Sequence, residues 1–305
     1  MPFVLRSALG MVVSLLAISL VAFVVIAAMP ADPVAIAIRT WSLPATDETV
    51  AALRAQWGLD VPFGQRYLAW LAHFLVGSWG TSFRTGEPVF NAFAQRLPLS
   101  LLIGLSGLAL SVVLAVPLGF AAALSPKGPA DKATRGLAIF VQAVPSFWLG
   151  LILIFVLGVH FRLIRPFSHD AGSLILPIVL IALPSTAILA RVYRRSLIHI
   201  TAQPFFLTAL AKGHSRSTAL RHHAHGHAFY ALLSAFRAEA GWAIGGTAAI
   251  EVVFGLPGIS QFLVESIAAR DYAVLQAYVM VVALWLIVMN AVVEGVLRWL
   301  DPRLP

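Results

Sequence analysis

The sequence has 305 residues, contains no cysteine and is poor in charge. Without cysteine there can be no disulfide, thiolate metal site, iron–sulfur cluster or cysteine nucleophile. Only 11% of the residues are Asp, Glu, Lys or Arg, whereas 60% are hydrophobic; in soluble domains about a quarter of the residues are charged. The composition therefore predicts an integral membrane protein.

Stretches without charge mark candidate membrane spans, because a charge at the bilayer centre costs about 2.5–3.5 kcal/mol. Five such stretches are long enough to cross a hydrocarbon layer of about 30 Å. A sixth apolar region, 228–254, contains Arg237, Glu239 and Glu251, and is either a span or a re-entrant or interfacial segment. We expect an all-α fold in which residues 1–305 form one transmembrane domain, with six helices at about 7–29, 97–124, 136–160, 172–195, 229–254 and 273–297. The first apolar run is too long for a signal peptide, whose apolar region has about 7–15 residues, and is expected to be a retained anchor.

The basic residues predict the orientation of these helices, because Lys and Arg accumulate in cytoplasmic loops. With six spans and the N-terminus inside, 13 of the 21 Lys and Arg residues fall on the side of both termini. The other 8 fall on the opposite side, where 8 acidic residues balance their charge. We therefore expect both termini in the cytoplasm. The net charge of +8 then follows from topology, with no need for a nucleic-acid partner.

Two polar segments connect the spans. The outer one, 30–96, contains a predicted helix over Asp47–Trp57 with Thr46 or Asp47 as its N-cap, and an amphipathic helix over Gln65–Phe74. This segment is a cap too small for an ordinary enzyme domain. The inner one, 196–228, contains a helical run closed by Gly213, which suits a left-handed C-cap, and a capping signal at Ser215. Periodicity alone supports a docking surface and an ordinary connecting loop equally well.

Four histidines in the inner segment are weak candidates for a metal site. On a helix, His223 and His227 are four residues apart, and His222 and His225 three, so that pairs of imidazoles could share an ion. Gly226 weakens such a helix and no carboxylate stands nearby. A solvated, weakly basic surface is the favoured interpretation.

No enzymatic constellation is visible in the sequence. A phosphate-binding Walker loop and a G-x-S-x-G elbow are absent, and an intramembrane hydrolase would need paired catalytic residues at similar depth in the spans. We expect a protein that is not itself an enzyme and has no cofactor. Ionisable groups at membrane depth usually face a pathway, so Glu239 is a candidate for lining it, the alternative being an internal pair with Arg237 or with a partner subunit.

The whole chain resembles permease subunits of the peptide/nickel family of bacterial ABC importers. The resemblance rests on the order and positions of several motifs: Met29-Pro-Ala-Asp-Pro33, Gly58-Leu-Asp-Val-Pro62, Gly77-Ser-Trp-Gly-Thr-Ser82, Val144-Pro-Ser-Phe-Trp148, Leu174-Ile-Leu-Pro177, Ala190-Arg-Val-Tyr-Arg-Arg-Ser196, Thr208–Gly213, Glu251-Val-Val-Phe-Gly-Leu-Pro-Gly258 and Arg270-Asp271. It implies a type I importer fold in the bacterial inner membrane. The implied partners are a second permease, two cytoplasmic ATPases and a periplasmic substrate-binding protein.

The resemblance also implies roles for individual residues. The segment Leu207–Ala231, centred on Gly213, would be the coupling segment that docks on an ATPase, through Thr208, Ala209, Ala211, Lys212, Gly213 and His223. Glu251, Pro257 and Gly258 would belong to the outer gate. The sequence departs from the family pattern at His223-Ala-His-Gly-His-Ala-Phe-Tyr-Ala231, where Arg, Asn and Pro are usual.

The substrate implied by the resemblance is nickel or another metal chelate, with dipeptides or oligopeptides as the alternative. The stretch Asp32–Asp60, with its Leu43-Pro44, resembles nickel-type members. The outer connection His160–Leu174 is short where many peptide permeases have a long insertion.

Overall fold

The computed structural model describes residues 2–28, 33–58, 60–165, 167–168 and 170–300. Most of the motif at 29–33 lies outside the described residues. The part of the chain described is helical, and its one β interaction is a single bridge between Thr81 and Pro88. In chain order the helices are α1 Pro2–Ala27, α2 Pro33–Thr40, α3 Asp47–Gln56, α4 Phe63–Leu75, α5 Val89–Leu124, α6 Pro129–Ala143, α7 Ser146–Leu153, α8 Ile175–Ile200, α9 Pro204–Ala211, α10 Arg216–Ala219, α11 His225–Gly245, α12 Ala248–Phe254, α13 Ile259–Ala268 and α14 Tyr272–Leu300. Two π-helical segments, Ile154–His160 and Leu220–Ala224, follow α7 and α10.

The chain divides into two compact units. Unit 1 comprises Met1–Pro98 and Pro257–Ile287, and unit 2 comprises Leu99–Leu256 and Val288–Pro305. The helices α5 and α14 each contribute residues to both units.

Four described helices are long and apolar enough to cross a membrane, and the number rises to six if each of two broken helix pairs counts as one span. The four agree in position with the predicted first, second, fourth and sixth spans: Leu9–Ala27, Val89–Leu124, Ile175–Ile200 and Tyr272–Leu300. The second begins at Val89, before its predicted start at 97, and the fourth ends at Ile200, after its predicted end at 195. Residues 196–200, expected in the inner loop, continue α8 as helix.

The predicted third span, 136–160, is a broken helix. Its two parts, α6 and the helix from Ser146 to His160, meet at an angle of 94°. The break falls at Val144 and Pro145. Proline has no N–H to donate and disfavours the helical conformation of the residue before it, and Val144 is accordingly extended, with φ −109° and ψ 115°.

The predicted fifth span, 229–254, corresponds to two helices, α11 and α12, separated at Gly246 and Thr247. The helix α11 is not among the apolar helices that meet the criterion for a span, in keeping with Arg237 and Glu239 within it. Instead, α12 and the following helix α13, which are separated by a short break, are together long and apolar enough to count as a span. The predicted fifth span is therefore not one continuous helix.

Unit 2 is built around contacts of α8 with α6 and α11. Glycines on α5 let neighbouring backbones approach closely: a Cβ at Gly104 would lie 2.0 Å from the carbonyl oxygen of Ala243, and one at Gly119 would lie 2.7 Å from that of Ala190. Real Cβ atoms do not approach this closely, so both positions require glycine. Tyr193, on α8, is the largest of the fully buried side chains in the apolar core of this unit.

The cap helices in unit 1 agree with the prediction. The hydroxyl of Thr46 accepts a hydrogen bond from the backbone N–H of Thr49 at 3.2 Å, which makes it the N-cap of α3. The helix α4 covers the predicted amphipathic stretch. The Arg270-Asp271 motif is anchored within unit 1. The buried carboxylate of Asp271 accepts hydrogen bonds from the Ser82 hydroxyl at 2.5 Å and from the Arg84 backbone N–H at 3.2 Å.

Candidate functional site: coupling surface and membrane-depth acids

The inner polar segment forms a helical hairpin with a glycine at its turn. Gly213 follows α9 with φ +89°, a left-handed conformation that glycine adopts without steric cost. The hydroxyl of Ser215 accepts a hydrogen bond from the N–H of Thr218 at 3.2 Å and caps α10. Both capping predictions are confirmed.

One face of the hairpin is packed into unit 2. Phe206 and Ala209 on α9 are buried in the same apolar cluster as Leu197 on α8 and Leu232 on α11. Protein cores are close-packed and have little compressibility. A displacement of α9 would therefore be transmitted to α8 and α11.

Three large apolar side chains of α9 are exposed on either side of its buried residues. Phe205, Leu207 and Leu210 have 46%, 55% and 36% of their surface exposed. Exposed apolar side chains grouped on one short helix favour an interaction site. Sequence reasoning did not select Phe205 and Leu210 as site residues, although three large apolar residues within one short helix of a predicted cytoplasmic loop were a usable signal.

The predicted coupling residues divide between the two faces. Thr208, Ala211, Lys212, Gly213 and His223 are exposed, whereas Ala209 is buried. The Thr208 hydroxyl donates to the carbonyl of Pro204 at 3.0 Å, within its own helix. Four of the exposed residues lie on or directly after α9, beside the apolar face.

A buried carboxylate ties α6 to α8 in the same unit. Asp131 is 0% exposed and accepts hydrogen bonds from Arg194 at 2.8 Å, Arg135 at 2.6 Å and the backbone N–H of Lys127 at 2.7 Å. Nε of Arg194 also lies 2.6 Å from Oδ1 of Asp131. Sequence reasoning placed Asp131 and these cations in the same cytoplasmic charge count but did not pair them.

The histidine cluster points in several directions. The ring of His225 is hydrogen-bonded to the Tyr193 hydroxyl at 2.5 Å, and the ring of His227 lies 6.1 Å from that of Phe205. The His223 ring lies 5.9 Å from that of His214, and His222 is exposed. The π-helical turn at Leu220–Ala224 breaks the regular α-helical spacing on which the predicted pairs depended. Among the described residues, no group of three or more His, Asp or Glu side chains could hold a metal ion.

The two acids at membrane depth have different environments. Glu251 is 0% exposed and accepts hydrogen bonds from the hydroxyls of Ser100 at 2.8 Å and Thr247 at 2.7 Å. Glu239 is half-buried and accepts one from the Ser185 hydroxyl at 2.7 Å. In the part of the chain described, Glu239 makes no ion pair with Arg237, whose side chain is exposed.

The remaining gate candidates occupy the turn after α12. Gly255 ends α12 in the left-handed conformation with φ +61°, and the N–H of Leu256 donates to the carbonyl of Glu251 at 2.9 Å. Pro257 is exposed, and Gly258 is the buried N-cap residue of α13. The motif from Glu251 to Gly258 thus forms a helix end, a turn and a helix start.

Comparison with known families identifies the class of protein. Residues 115–304 match the model of the binding-protein-dependent transport system inner membrane component, and residues 1–104 match the model of the N-terminal part of such membrane components. The chain therefore belongs to this family of permeases of ABC importers. It is a transport subunit of the membrane and not an enzyme; the importers to which such subunits belong include an ATPase and a substrate-binding protein.

Individual relatives cover nearly the whole chain. A probable peptide ABC transporter permease of Sinorhizobium fredii is 28% identical over 311 residues, which cover 99% of this chain and 98% of that protein. A glutathione transport system permease of Salmonella choleraesuis is 29% identical over 304 residues, with the same coverage. A crystal structure of an amino acid ABC transporter with histidines matches with a TM-score of 0.51 at 17% identity, over 70% of this chain and 94% of that one. The last similarity supports the fold alone.

Proposed function

We propose that the chain is the permease subunit of an importer for short peptides. The relatives named above are a peptide permease and a glutathione permease, and they support the peptide alternative better than the nickel chelate that the sequence motifs favoured. Glutathione is itself a small peptide. A substrate-binding protein would select the peptide outside the membrane and deliver it to the permease.

The two faces of α9 are the observation that carries the proposed coupling mechanism. Its buried face, with Phe206 and Ala209, is continuous with the core of α8 and α11. Its exposed surface includes the apolar side chains of Phe205, Leu207 and Leu210. An ATPase that grips the exposed face and moves during ATP hydrolysis would displace the helices behind it as a unit.

The assembly and topology follow as parts of the same proposal. The chain would pair with a second, homologous permease and with two ATPases in the bacterial inner membrane. Both termini and the hairpin around Gly213 would be cytoplasmic, as the distribution of Lys and Arg indicates. The cap, 30–96, would face the periplasm and the binding protein.

The membrane-depth acids would have separate roles. Glu251 is fully buried, which supports the structural role at the outer gate that the resemblance implies. Glu239 keeps part of its surface exposed and has one hydroxyl partner. It is the better candidate for lining the pathway.

Uptake into vesicles containing the purified complex tests the substrate and the coupling together. We expect a radiolabelled dipeptide, or glutathione, to accumulate when ATP and the loaded binding protein are present. Leu207→Asp should abolish uptake and the stimulation of ATP hydrolysis by the binding protein, because it places a charge in an apolar contact. Leu207→Met, which keeps an apolar side chain of similar volume at the same position, is the control and should transport normally. Accumulation of nickel without that of any peptide would contradict the proposed substrate.

A further inference from the structure

Unit 1 contains a cavity of about 580 Å³ that the proposed transport mechanism does not use. Its walls come from the C-terminal end of α1, from α3 and α4, from the loop after α4 and from the first turns of α14. Six of the side chains that line it are aromatic: Phe23, Trp57, Trp70, Trp79, Phe83 and Tyr272.

Arg66 is the one Lys or Arg among the residues that line the cavity, which also include His73. The guanidinium of Arg66 lies 5.4 Å from the centre of the Phe23 ring. No described Asp or Glu lines the cavity, and Arg66 forms no ion pair with a carboxylate of the described residues. A guanidinium has five N–H donors. Its contact with the face of an aromatic ring does not occupy these donors, so they can bind an anion. The cavity is therefore complementary to a molecule with an apolar body and one anionic group.

The position of the cavity indicates where such a molecule would come from. Phe23, Ile26 and Ala27 lie at the end of the apolar stretch Leu9–Ala27, and Tyr272 begins α14, so two candidate spans end at the cavity. Helices that cross a bilayer end at the level of the lipid headgroups, whichever side that is. Trp and Tyr are the residues typical of this level.

The face of α1 that lines the cavity is apolar, with Phe23, Ile26 and Ala27. This face belongs to the candidate span Leu9–Ala27. The apolar part of a bound molecule would therefore lie against the end of a helix that crosses the hydrocarbon layer.

We propose that this cavity binds an anionic phospholipid. The phosphate pairs with Arg66 among the aromatic rings, and the apolar part of the lipid lies against Phe23 and Ile26 of α1. A bidentate contact between a guanidinium and a phosphate is a strong, charge-assisted interaction. The inference rests on α1 and α14 crossing the membrane, and not on the identity of the transported substrate.

Native mass spectrometry of the intact importer tests the proposal. The complex is reconstituted in nanodiscs of phosphatidylcholine mixed with phosphatidylglycerol, and the lipids retained after release into detergent are counted. We expect the wild type to retain phosphatidylglycerol in preference to phosphatidylcholine, and Arg66→Gln to bind it about tenfold more weakly, as expected for the loss of one charge-assisted contact. Arg54→Gln is the matched control: it removes the same charge from the same cap, where Arg54 lies 3.8 Å from Asp60 and outside the cavity. It should retain phosphatidylglycerol like the wild type.

A second variant keeps the arginine and fills the cavity. Ala69 is an exposed residue of α4 that lines the cavity, and Ala69→Trp should exclude the lipid while Arg66 stays in place. Equal retention in the wild type and in both cavity variants would overturn the proposal, as would equal retention of the two lipids by the wild type. A labelled dipeptide that binds to the delipidated complex, and loses binding in Arg66→Gln, would show a peptide site instead and would also overturn it. Peptide uptake is measured in parallel, so that failure of the lipid proposal can be told apart from failure of the proposed substrate. A permease without the lipid site would still import the peptide.

Discussion

The carboxylate of Asp131, on α6, is fully buried beneath the guanidinium of Arg194, on α8, with 2.6 Å between Nε and Oδ1. Arg194 belongs to the Ala190–Ser196 motif, and its neighbour Tyr193 lies in the core that also contains Phe206 of the coupling hairpin. The pair therefore fixes α6 to the helix that carries the proposed coupling movement.

Removing this carboxylate should destabilise unit 2. In Asp131→Ala, Arg194 and the backbone N–H of Lys127 lose their partner, and lost hydrogen bonds to a charged group cost about 2–3 kcal/mol. We expect a clear fall in the Tm of the purified complex. Glu294→Ala removes a partly exposed ion pair with Arg298 on α14 and should cost less than about 1 kcal/mol. Equal shifts in Tm for the two variants would contradict the assigned role of Asp131.

The turn at Gly213 should be required for coupling. In Gly213→Val, a β-branched residue would have to adopt φ +89°, which strains the turn by about 1–3 kcal/mol and redirects α10. We expect vesicles with this variant to lose peptide uptake although the complex still assembles. Gly226→Ala is the control, since Gly226 is within α11 with open space around a Cβ and alanine favours a helix by about 1 kcal/mol. A Gly213→Val importer with normal uptake would show that the hairpin geometry does not matter.

The histidine cluster should be dispensable for transport. Replacing His222, His225 and His227 together with Gln keeps hydrogen bonding but removes the imidazole nitrogens that could bind a metal ion. We expect assembly and uptake to be largely intact, because the rings contact separate partners. A selective loss of nickel uptake, with stimulation of ATP hydrolysis by the binding protein unchanged, would instead establish a metal relay.

The two membrane-depth acids should respond differently to substitution. Glu251→Ala removes the acceptor of two buried hydroxyl hydrogen bonds and should lower the free energy of unfolding by about 1–3 kcal/mol, whereas Glu251→Gln, which keeps an acceptor, should cost less. Glu239→Gln should leave Tm nearly unchanged and reduce the rate of uptake. Thermal unfolding and initial uptake rates, measured on the same preparations, separate the two effects. A large loss of stability in Glu239→Gln would argue against a pathway role.

Labelling of introduced cysteines tests the proposed topology directly, because the chain has no native cysteine. With an impermeant thiol reagent on intact spheroplasts, Asp60→Cys should react and Arg216→Cys should react only after lysis. Both native side chains are exposed, so accessibility within the fold is matched. Labelling of Arg216→Cys alone in intact cells would reverse the assigned orientation.

The sequence by itself determined the class of protein and its local signals. Charge-free runs predicted four helices that the structure also contains, the residue types at Thr46, Gly213 and Ser215 predicted their caps and turn, and the order of motifs predicted the family. Each of these depends on neighbouring residues or on the simple requirement that a span be apolar. The sequence did not predict the break at Pro145 in the third span, although proline is a local signal for it.

The tertiary structure decided which side chains meet. Phe205, Phe206 and Leu207 are consecutive and similarly apolar, yet only Phe206 enters the core, because burial depends on where α8 and α11 pack. In the same way, a π-helical turn and the contact with Tyr193 separate histidines that an ideal helix would pair. The partnership of Asp131 with Arg194, and of Glu251 with Ser100, joins positions 63 and 151 residues apart in the chain. Local periodicity cannot specify such contacts, because they exist only once the helices are packed.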